Sequence, residues 1–546
     1  MTPLAALLLA TFGAAAHAET WVSTETKAPR ASESVVHVAP MQAGAATHVT
    51  VSLKLQNKAE LDKLTGDIMA GKARPLSRDQ FMSRYAPSDA QVQAVVTHLR
   101  NSGFMNITVS DNRMLINADG SAGAIKAAFN TELHTYNVNG RSARGNTSDA
   151  QVPSSLSGIV LAVHGLQDIY QHHTMAKPLA TTMATTGHNP TDFPVIYGAS
   201  SLPSATNATI GIITQGSMTQ TITDLKSFAS NAGYPVPSVS VVQVGSASSD
   251  TSGVGEWNMD TQDALAAAGG TIKQMLLYTA TTLSDADLTN TYNKAVSDNL
   301  AKAINVSLGE CENDAKSSGI MASNDQIFQT AVAQGQMFSV SSGDSGAWEC
   351  GATAGKAQSY PAVSPYVMSI GGTTLSTSGT TWTGETVWSC SSASTCQQSS
   401  SGGAGGGPSL TEPAPSWQTS AGVLGTSTKR GVPDISFDAA PSSGALVLIN
   451  GSNQQIGGTS LAAPIFTGFW ARVQSMNGNT LPFPASTLYA KAAANPGMFH
   501  DVTSGNQGYA AATGWDYASG YGSLVVSNFA TVMAGGSSGG GSGGGT

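Results

Sequence analysis

Ile304-Asn305-Val306-Ser307-Leu308 and Met337-Phe338-Ser339-Val340-Ser341 are two short apolar runs, the second followed at once by Ser342-Gly343-Asp344. Between them, residues 325–334 carry helical spacing, so a strand, a helix and a strand succeed one another. The rhythm continues outward. Ile210-Gly211-Ile212-Ile213 reads as a strand, 220–232 as a helix and Met275-Leu276-Leu277-Tyr278 as the next strand. This alternation predicts an α/β fold, a parallel sheet with helices on both faces. Sites in such sheets lie beyond the C-terminal strand ends, where Gly343-Asp344 falls.

Upstream the pattern differs. Val49-Thr50-Val51-Ser52-Leu53-Lys54-Leu55 and Ile107-Thr108-Val109-Ser110 alternate with period two. Residues 90–99 place Val92, Val95, Val96 and Leu99 on one helical face, and 122–129 form a second helix. An antiparallel sheet with two helices on one face fits this α+β, ferredoxin-like order. Residues 177–189, rich in Thr, Ala and Met, read as an exposed joint between the two regions.

Charge divides at the same place. Residues 1–180 hold 15 Lys+Arg and 13 Asp+Glu, whereas 181–546 hold 10 and 21. Eight of the ten histidines precede residue 180, leaving His188 and His500 beyond it. Charged residues make up 11 % of the 546-residue chain, whose net charge is −9. That excludes a highly charged disordered chain and a basic nucleic-acid binder. Past the N-terminus no apolar run is long enough for a membrane span.

Residues 4–16 are apolar and end in Ala16-His17-Ala18, the pattern of a secretory signal over 1–18, although its n-region lacks Lys and Arg. Export permits disulfides. Cys390 and Cys396 close a short Ser-rich loop, which leaves Cys311 to pair with Cys350. No His lies near them and no C-x-x-C occurs, so a zinc site is not expected. Residues 535–546, almost all Gly and Ser, read as a flexible tail.

Gly457-Gly458-Thr459-Ser460-Leu461-Ala462-Ala463-Pro464 follows a strand-like run and opens an apolar helix, with Pro464 expected in its first turn. Ser460 then sits at a helix N-terminus, where backbone N–H groups stabilise developing negative charge. Read blandly it is an N-cap; as a nucleophile it needs a base, and neither remaining His lies at a strand–helix junction. Gly255-Glu256-Trp257-Asn258-Met259-Asp260 opens another helix, and Glu256 and Asp260, four residues apart, share a face. Two such carboxyls relieve their repulsion by sharing a proton. Gly343-Asp344-Ser345-Gly346 also matches the nucleophile motif of chymotrypsin-like proteases, but that requires an upstream His in an all-β barrel. Trp257, Trp388, Trp417 and Trp515 suit core or rim positions, Asp434 in Val432-Pro433-Asp434 a buried structural carboxylate, and Gly402 to Gly407 a surface loop or the flank of a substrate cleft.

Glu256-x-x-x-Asp260, Ser341-Ser342-Gly343-Asp344 and Gly457-Gly458-Thr459-Ser460, in this order, resemble the sedolisin family of serine-carboxyl peptidases, and in particular its bacterial pepstatin-insensitive members. The resemblance spans residues 185–533 and implies a subtilisin-like fold, with 19–180 as a propeptide and 181–534 as the catalytic domain. It implies Ser460 as nucleophile, Glu256 as general base, Asp260 orienting Glu256, and Asp344 as oxyanion donor with the Ser460 N–H. The physics agrees: in acid a His base would be protonated, whereas a carboxylate still accepts a proton and a neutral carboxylic acid donates to an oxyanion.

Phe499-His500-Asp501-Val502-Thr503 and Ala512-Thr513-Gly514-Trp515-Asp516 supply two carboxylates and several carbonyls on Gly-rich loops, ligands suited to a hard cation. Taken alone they read as polar turns. The resemblance implies one structural Ca2+ held by Asp501 and Asp516 with carbonyls of Val502, Ala512 and Gly514, although Ala512 stands where the family has Gly.

The resemblance thus predicts a secreted acid endopeptidase, made as an autoactivated zymogen and acting as a monomer on proteins, peptides and its own propeptide. Opposite charges would dock the two regions at neutral pH, and acid would loosen them and permit cleavage near 177–187. Two alternatives stand beside it, a tripeptidyl-peptidase of the same family and a non-catalytic secreted binding protein on the same fold.

Overall fold

Eight strands form the central sheet of the computed structural model, which describes residues 20–30, 35–179, 186–398 and 401–536. The signal sequence expected over 1–18 and the tail from 537 lie outside the described residues. The strands, in chain order, are β1 (Thr209–Gln215), β2 (Val239–Gln243), β3 (Gln274–Ala280), β4 (Ala303–Val306), β5 (Met337–Ser341), β6 (Met368–Ser378), β7 (Thr381–Val387) and β8 (Ile435–Asp438). They lie in the order β2-β3-β1-β4-β5-β6-β7, with β8 also on β6. All pairings are parallel except the β6–β7 hairpin.

Burial on both faces explains why β1 and β4 read as continuous apolar runs, since each of their residues is buried. Helices α1 (Val254–Ala267) and α2 (Thr459–Met476) pack against each other beneath the sheet's C-terminal edge. They approach so closely at Gly468 that a Cβ there would overlap the Ala264 carbonyl. Pro464 lies inside α2 rather than in its first turn. Its missing N–H leaves the Ser460 carbonyl without a helical donor, and Ser307 Oγ faces that oxygen at 3.5 Å.

The N-terminal region builds its own core. Met105–Val109, Leu115–Ser121, Ala46–Leu53 and Val160–His164 form an antiparallel sheet in that spatial order. Helices Asp89–Asn101 and Ala122–Phe129 cover one face through Val92, Val96, Ile125 and Phe129 against Val49, Val51 and Ile116. This is the ferredoxin-like order expected from the alternation. A separate three-stranded sheet of Val35–Pro40, Leu133–Val138 and Arg141–Asn146 precedes and interrupts it.

The opposite face of the N-terminal sheet lies on helices of the C-terminal region through polar pairs. Asn290 Nδ2 donates to Thr50 Oγ1 and Asn117 Oδ1, Asn112 and Asn293 exchange hydrogen bonds, and His164 Nε2 meets Ser323 Oγ at 2.8 Å.

Candidate active site

Four side chains that the sequence separates by up to 204 positions meet at the C-terminal edge of β4 and β5. Glu256 and Asp260 project from α1, Asp344 from the turn after β5 and Ser460 from the first turn of α2, and all four are buried. Glu256 Oε1, Asp260 Oδ2, Asp344 Oδ2 and Ser460 Oγ have no hydrogen-bond partner. Buried polar atoms ordinarily find partners, so four such oxygens in one place, with the Ser460 hydroxyl close enough to favour ionised Glu256, mark a reactive site.

The opposite oxygen of each acid is held. Asp260 Oδ1 accepts from Ser307 Oγ at 2.6 Å, and Asn305 Nδ2 donates to that hydroxyl. Asp344 Oδ1 accepts from the Thr459 N–H at 2.8 Å and from Thr459 Oγ1 at 2.9 Å, which aims Oδ2 away from α2. Ser307 and Asn305 were not singled out from the sequence, although their place at the end of β4 was the available signal.

Burial raises the pKa of Glu256 and Asp260 well above the ordinary carboxyl range, and their mutual repulsion adds to the rise at Glu256. The Ser460 hydroxyl and the Ala176 N–H favour ionised Glu256, while Ser307 and Asn305 favour ionised Asp260. Burial pushes Asp344 up to about 6, with Lys177 opposing. Glu349, whose Oε1 accepts the Ser345 N–H at 2.7 Å, is pushed by burial to about 8. It too was not anticipated.

The expected joint at 177–189 is in part something else: residues 173–179 run through the cleft. His173-Thr174 pairs antiparallel with Leu308-Gly309, and Lys177-Pro178 with Ile456-Gly457, while the Leu179 N–H donates to Gln455 O at 3.0 Å. Between the two pairings, the Met175–Ala176 peptide lies against Glu256 and near Asp344 Oδ2. The Ala176 N–H donates to Glu256 Oε2 at 2.8 Å. Gly458, at φ 109°, would carry a Cβ that overlaps the Met175 carbonyl oxygen and lies 2.8 Å from Asp344 Oδ2. Only glycine admits this approach. Pairing on both sides, invisible to composition, is why 177–179 are not a free joint. Residues 180–185 lie outside the described residues.

Gly402 to Gly407 are buried rather than a surface loop, because they brace the turn carrying Asp344. The Gly403 N–H donates to Asp344 O, the Gly405 N–H to Gly343 O, and a Cβ on Gly405 would overlap Ser342 O. The disulfides Cys311–Cys350 and Cys390–Cys396 form as expected and flank the same turn. Asp434 is a buried structural carboxylate, bound by both Arg430 guanidinium nitrogens, Tyr489 Oη and the Ser369 N–H. Trp257, Trp388 and Trp417 are core, and Trp515 is partly buried.

The residues expected to bind calcium share one loop. Asp501 Oδ2 accepts the Gly514 N–H at 2.9 Å, and Asp516 Oδ2 accepts the Ala512 N–H at 2.6 Å, so both carboxylates face the same turn. Val502 O lies 3.4 Å from Ser519 Oγ. Burial raises the pKa of Asp516, and no cationic side chain is among the groups acting on it. Ala512 is not among the positive-φ residues, so this position does not require the missing glycine. Asp516 is held by hydrogen bonds from the Ala512, Ala518 and Ser519 N–H groups and the Ser519 hydroxyl, but by no cationic side chain. Two such carboxylates beside backbone carbonyls fit a hard cation.

The Pro-kumamolisin activation-domain model matches residues 33–169, and the subtilase family model matches 180–522. Sedolisin from Pseudomonas sp. (strain 101) is 47% identical over 97% of this chain and 95% of its own length. Xanthomonalisin from Xanthomonas sp. (strain T-22) is 43% identical over 96% of this chain and 74% of its own length. The solved structure of Pseudomonas sedolisin, a serine-carboxyl proteinase complexed with two molecules of pseudo-iodotyrostatin, superposes with a TM-score of 0.61. It is 46% identical, covering 65% of this chain and 99% of that one. With its activation domain, its subtilisin-like sheet and relatives of this identity over nearly its whole length, the chain belongs to the sedolisin family of serine-carboxyl peptidases.

Proposed function

We propose that this family member is the zymogen of a secreted, acid-active endopeptidase in which Ser460 is the nucleophile and Glu256 its general base. Asp260 orients Glu256, and Asp344 acts with the Ser460 N–H as oxyanion donor. The observation that carries this reading is the Met175–Ala176 peptide lying in the cleft with its N–H on Glu256 and its carbonyl oxygen on the same side of Gly458 as Asp344 Oδ2.

In the reaction, Ser460 Oγ attacks the carbonyl carbon as Glu256 takes the hydroxyl proton. Glu256 does so in the ionised form that the Ser460 hydroxyl and the Ala176 N–H favour, so activity also falls once acid leaves the Glu256–Asp260 pair fully protonated. The oxyanion receives hydrogen bonds from the neutral Asp344 carboxyl, through Oδ2, and from the Ser460 N–H. Glu256 returns the proton to the departing amine nitrogen, leaving an ester on Ser460 that water hydrolyses by the same steps. Asp344 must stay protonated to donate. Its value of about 6 therefore keeps the hole competent in acid, and the hole is lost as pH rises through about 6. A neutral-pH precursor accordingly holds its own segment in the cleft without cutting it.

The path of that segment favours an endopeptidase over a tripeptidyl-peptidase. A tripeptidyl-peptidase stops its substrate three residues before the cut, whereas here the chain continues through His172 and beyond, with paired backbone on both sides. The intact orphan constellation speaks against a non-catalytic binding protein. We further propose one structural Ca2+ bound by Asp501 and Asp516 with the carbonyls of Val502, Ala512 and Gly514, where it would neutralise the two carboxylates. The relatives' bacterial sources and the expected leader support export, and the enzyme is proposed to act as a monomer.

Digestion of an unfolded protein at about pH 4, with product masses read out, tests the activity. Internal cuts are expected; release of tripeptides alone would shift the reading to a tripeptidyl-peptidase, and no cleavage would overturn it. The precursor's first new N-terminus is expected to be Ala176.

A further inference from the structure

If 172–179 lies as a substrate does, the pockets beneath its side chains are substrate pockets, and one of them is charged. His172 stands three residues before Met175 and is wholly buried on the catalytic side. Its Nδ1 lies 3.6 Å from Asp285 Oδ1 and its Nε2 lies 3.8 Å from Glu310 Oε1. Asp285 opens the helix Asp285–Asp298, and Glu310 follows Gly309 in the very strand that pairs with His173. Both carboxyls are at most 4 % exposed.

Asp285 Oδ1, both Glu310 oxygens and both His172 nitrogens have no hydrogen-bond partner, and neither has the neighbouring Tyr292 hydroxyl. Asp285 Oδ2 alone is satisfied, by Gln167 Nε2 at 2.8 Å. Gln167 and His172 both belong to the part of the chain that maturation would remove. The pocket would keep Asp285, Glu310 and Tyr292.

The arrangement distinguishes its occupant. A metal ion bonds one ring nitrogen, whereas here each nitrogen faces a different carboxylate. Imidazolium, with an N–H on both sides, matches that bracket. Two carboxyls buried with no cation of their own domain beside them carry a large desolvation cost, which a cationic occupant offsets.

We infer that Asp285 and Glu310 form a specificity subsite of the mature peptidase, selecting a cationic side chain, imidazolium foremost, at the fourth residue on the N-terminal side of the cut bond. The inference rests on the peptidase reading above, with Met175–Ala176 beside the catalytic groups. Burial, Asp285 and Asp314 raise the pKa of Glu310, and a cationic occupant between Asp285 and Glu310 opposes that rise. Histidine, largely cationic at the acid pH proposed for activity, is therefore recognised there alongside Arg and Lys. In the precursor the same subsite anchors the inhibitory segment, so one pair of acids serves both docking and substrate choice.

The test uses the acid-matured full-length chain and the octapeptide His-His-Thr-Met-Ala-Lys-Pro-Leu, copied from 172–179, with His, Arg, Lys, Ala or Glu at its first position. At about pH 4, kcat/KM for cleavage at Met-Ala is expected to be roughly tenfold higher with His, Arg or Lys than with Ala, and lowest with Glu. In the double variant Glu310→Gln, Asp285→Asn the ratio of the His to the Ala peptide should fall to about one. A flat ranking in the wild type, or a preference that survives the double substitution, would overturn the subsite. Cutting elsewhere than Met-Ala would overturn the register it depends on. If the wild type digests neither these peptides nor an unfolded protein, the peptidase reading itself fails.

Discussion

The propeptide and the catalytic domain handle their acids in opposite ways. Along the propeptide surface, carboxylates sit in exposed ion pairs: Lys58 with Asp62, Lys63 with Asp67, Arg84 with Glu60, Arg113 with Asp89 and Lys126 with Glu132. Among the described residues after 186, the ion pairs internal to that half are Lys294–Asp298 and the buried Arg430–Asp434. Instead, that half buries carboxyls without cations, and burial pushes Asp438 up to about 8, Glu349 to about 8 and Glu412 to about 9. The propeptide stores a little of its stability in charge pairs that acid removes, each weak because solvent screens it. The catalytic domain is built to hold protons. Low charge content therefore has two physical meanings in one chain.

Freezing the two halves in one molecule sharpens this comparison most. Ser460→Ala is expected to lower proteolysis roughly 10⁴-fold or more and to leave the precursor intact in acid, read by gel and mass spectrometry. Residual cleavage at the wild-type rate would break the mechanism.

The next effect concerns stability against pH. A carboxyl whose folded pKa is raised binds more protons folded than unfolded. Its contribution is therefore full below about pH 4, the unfolded value, and is lost as pH rises through the folded value. For Asp438 and Glu349 that window runs from about 4 to about 8. The matured domain should melt higher at pH 5 than at pH 8 in calorimetry, by a margin of several kcal/mol in total. An optimum at neutral pH would erase the contrast between the halves.

Asp344→Asn keeps a side-chain N–H donor but cannot reproduce the acid's geometry or charge response. A loss of barrier stabilisation of roughly 2.7–4 kcal/mol bounds its effect on kcat, with partial activity remaining. The loss of activity above about pH 6 should become shallower in this variant, measured on an unfolded substrate.

The docked interface gives a smaller effect of opposite sign. Burial holds His164 at about 4, below its ordinary 6.5. The undocked form takes up a proton as pH falls below about 6.5, so docking weakens progressively until about pH 4 and then levels off. One buried histidine supplies at most about 3 kcal/mol of this linkage. His164→Gln should flatten the rise in maturation rate between pH 6.5 and 4, followed by N-terminal sequencing over time. The smallest effect is expected from the calcium loop. Removing the ion with chelator at pH 5 to 6 should lower the melting temperature of the matured domain by several degrees, as a ligand-linked loss of about 2 kcal/mol would.

The residues at the centre of the site were legible because three motifs, each weak alone, occur in the order of the sedolisin family. Glu256 and Asp260 are one turn apart, Asp344 closes a strand, and Ser460 opens a helix behind two glycines. The residues that hold them were not. Ser307 and Asn305 become meaningful only once β4 lies beside α1, and Thr459 only once its N–H reaches an acid 115 positions earlier. The Gly402 to Gly407 stretch looked like a loop because glycine says only that backbone comes close to something, not to what.

By itself, the sequence determined the order of strands and helices, the division of charge and histidine and the cysteine pairing, since these rest on spacing and composition, whereas the four side chains of the site rested on the resemblance of three motifs in order. Only the tertiary structure decided that 173–179 fill the cleft, that the Met175–Ala176 peptide lies on Glu256 and near Asp344, and that His172 lies between Asp285 and Glu310. These depend on backbone pairing between segments more than a hundred residues apart, and on burial, which turns ordinary carboxyls into proton-holding ones.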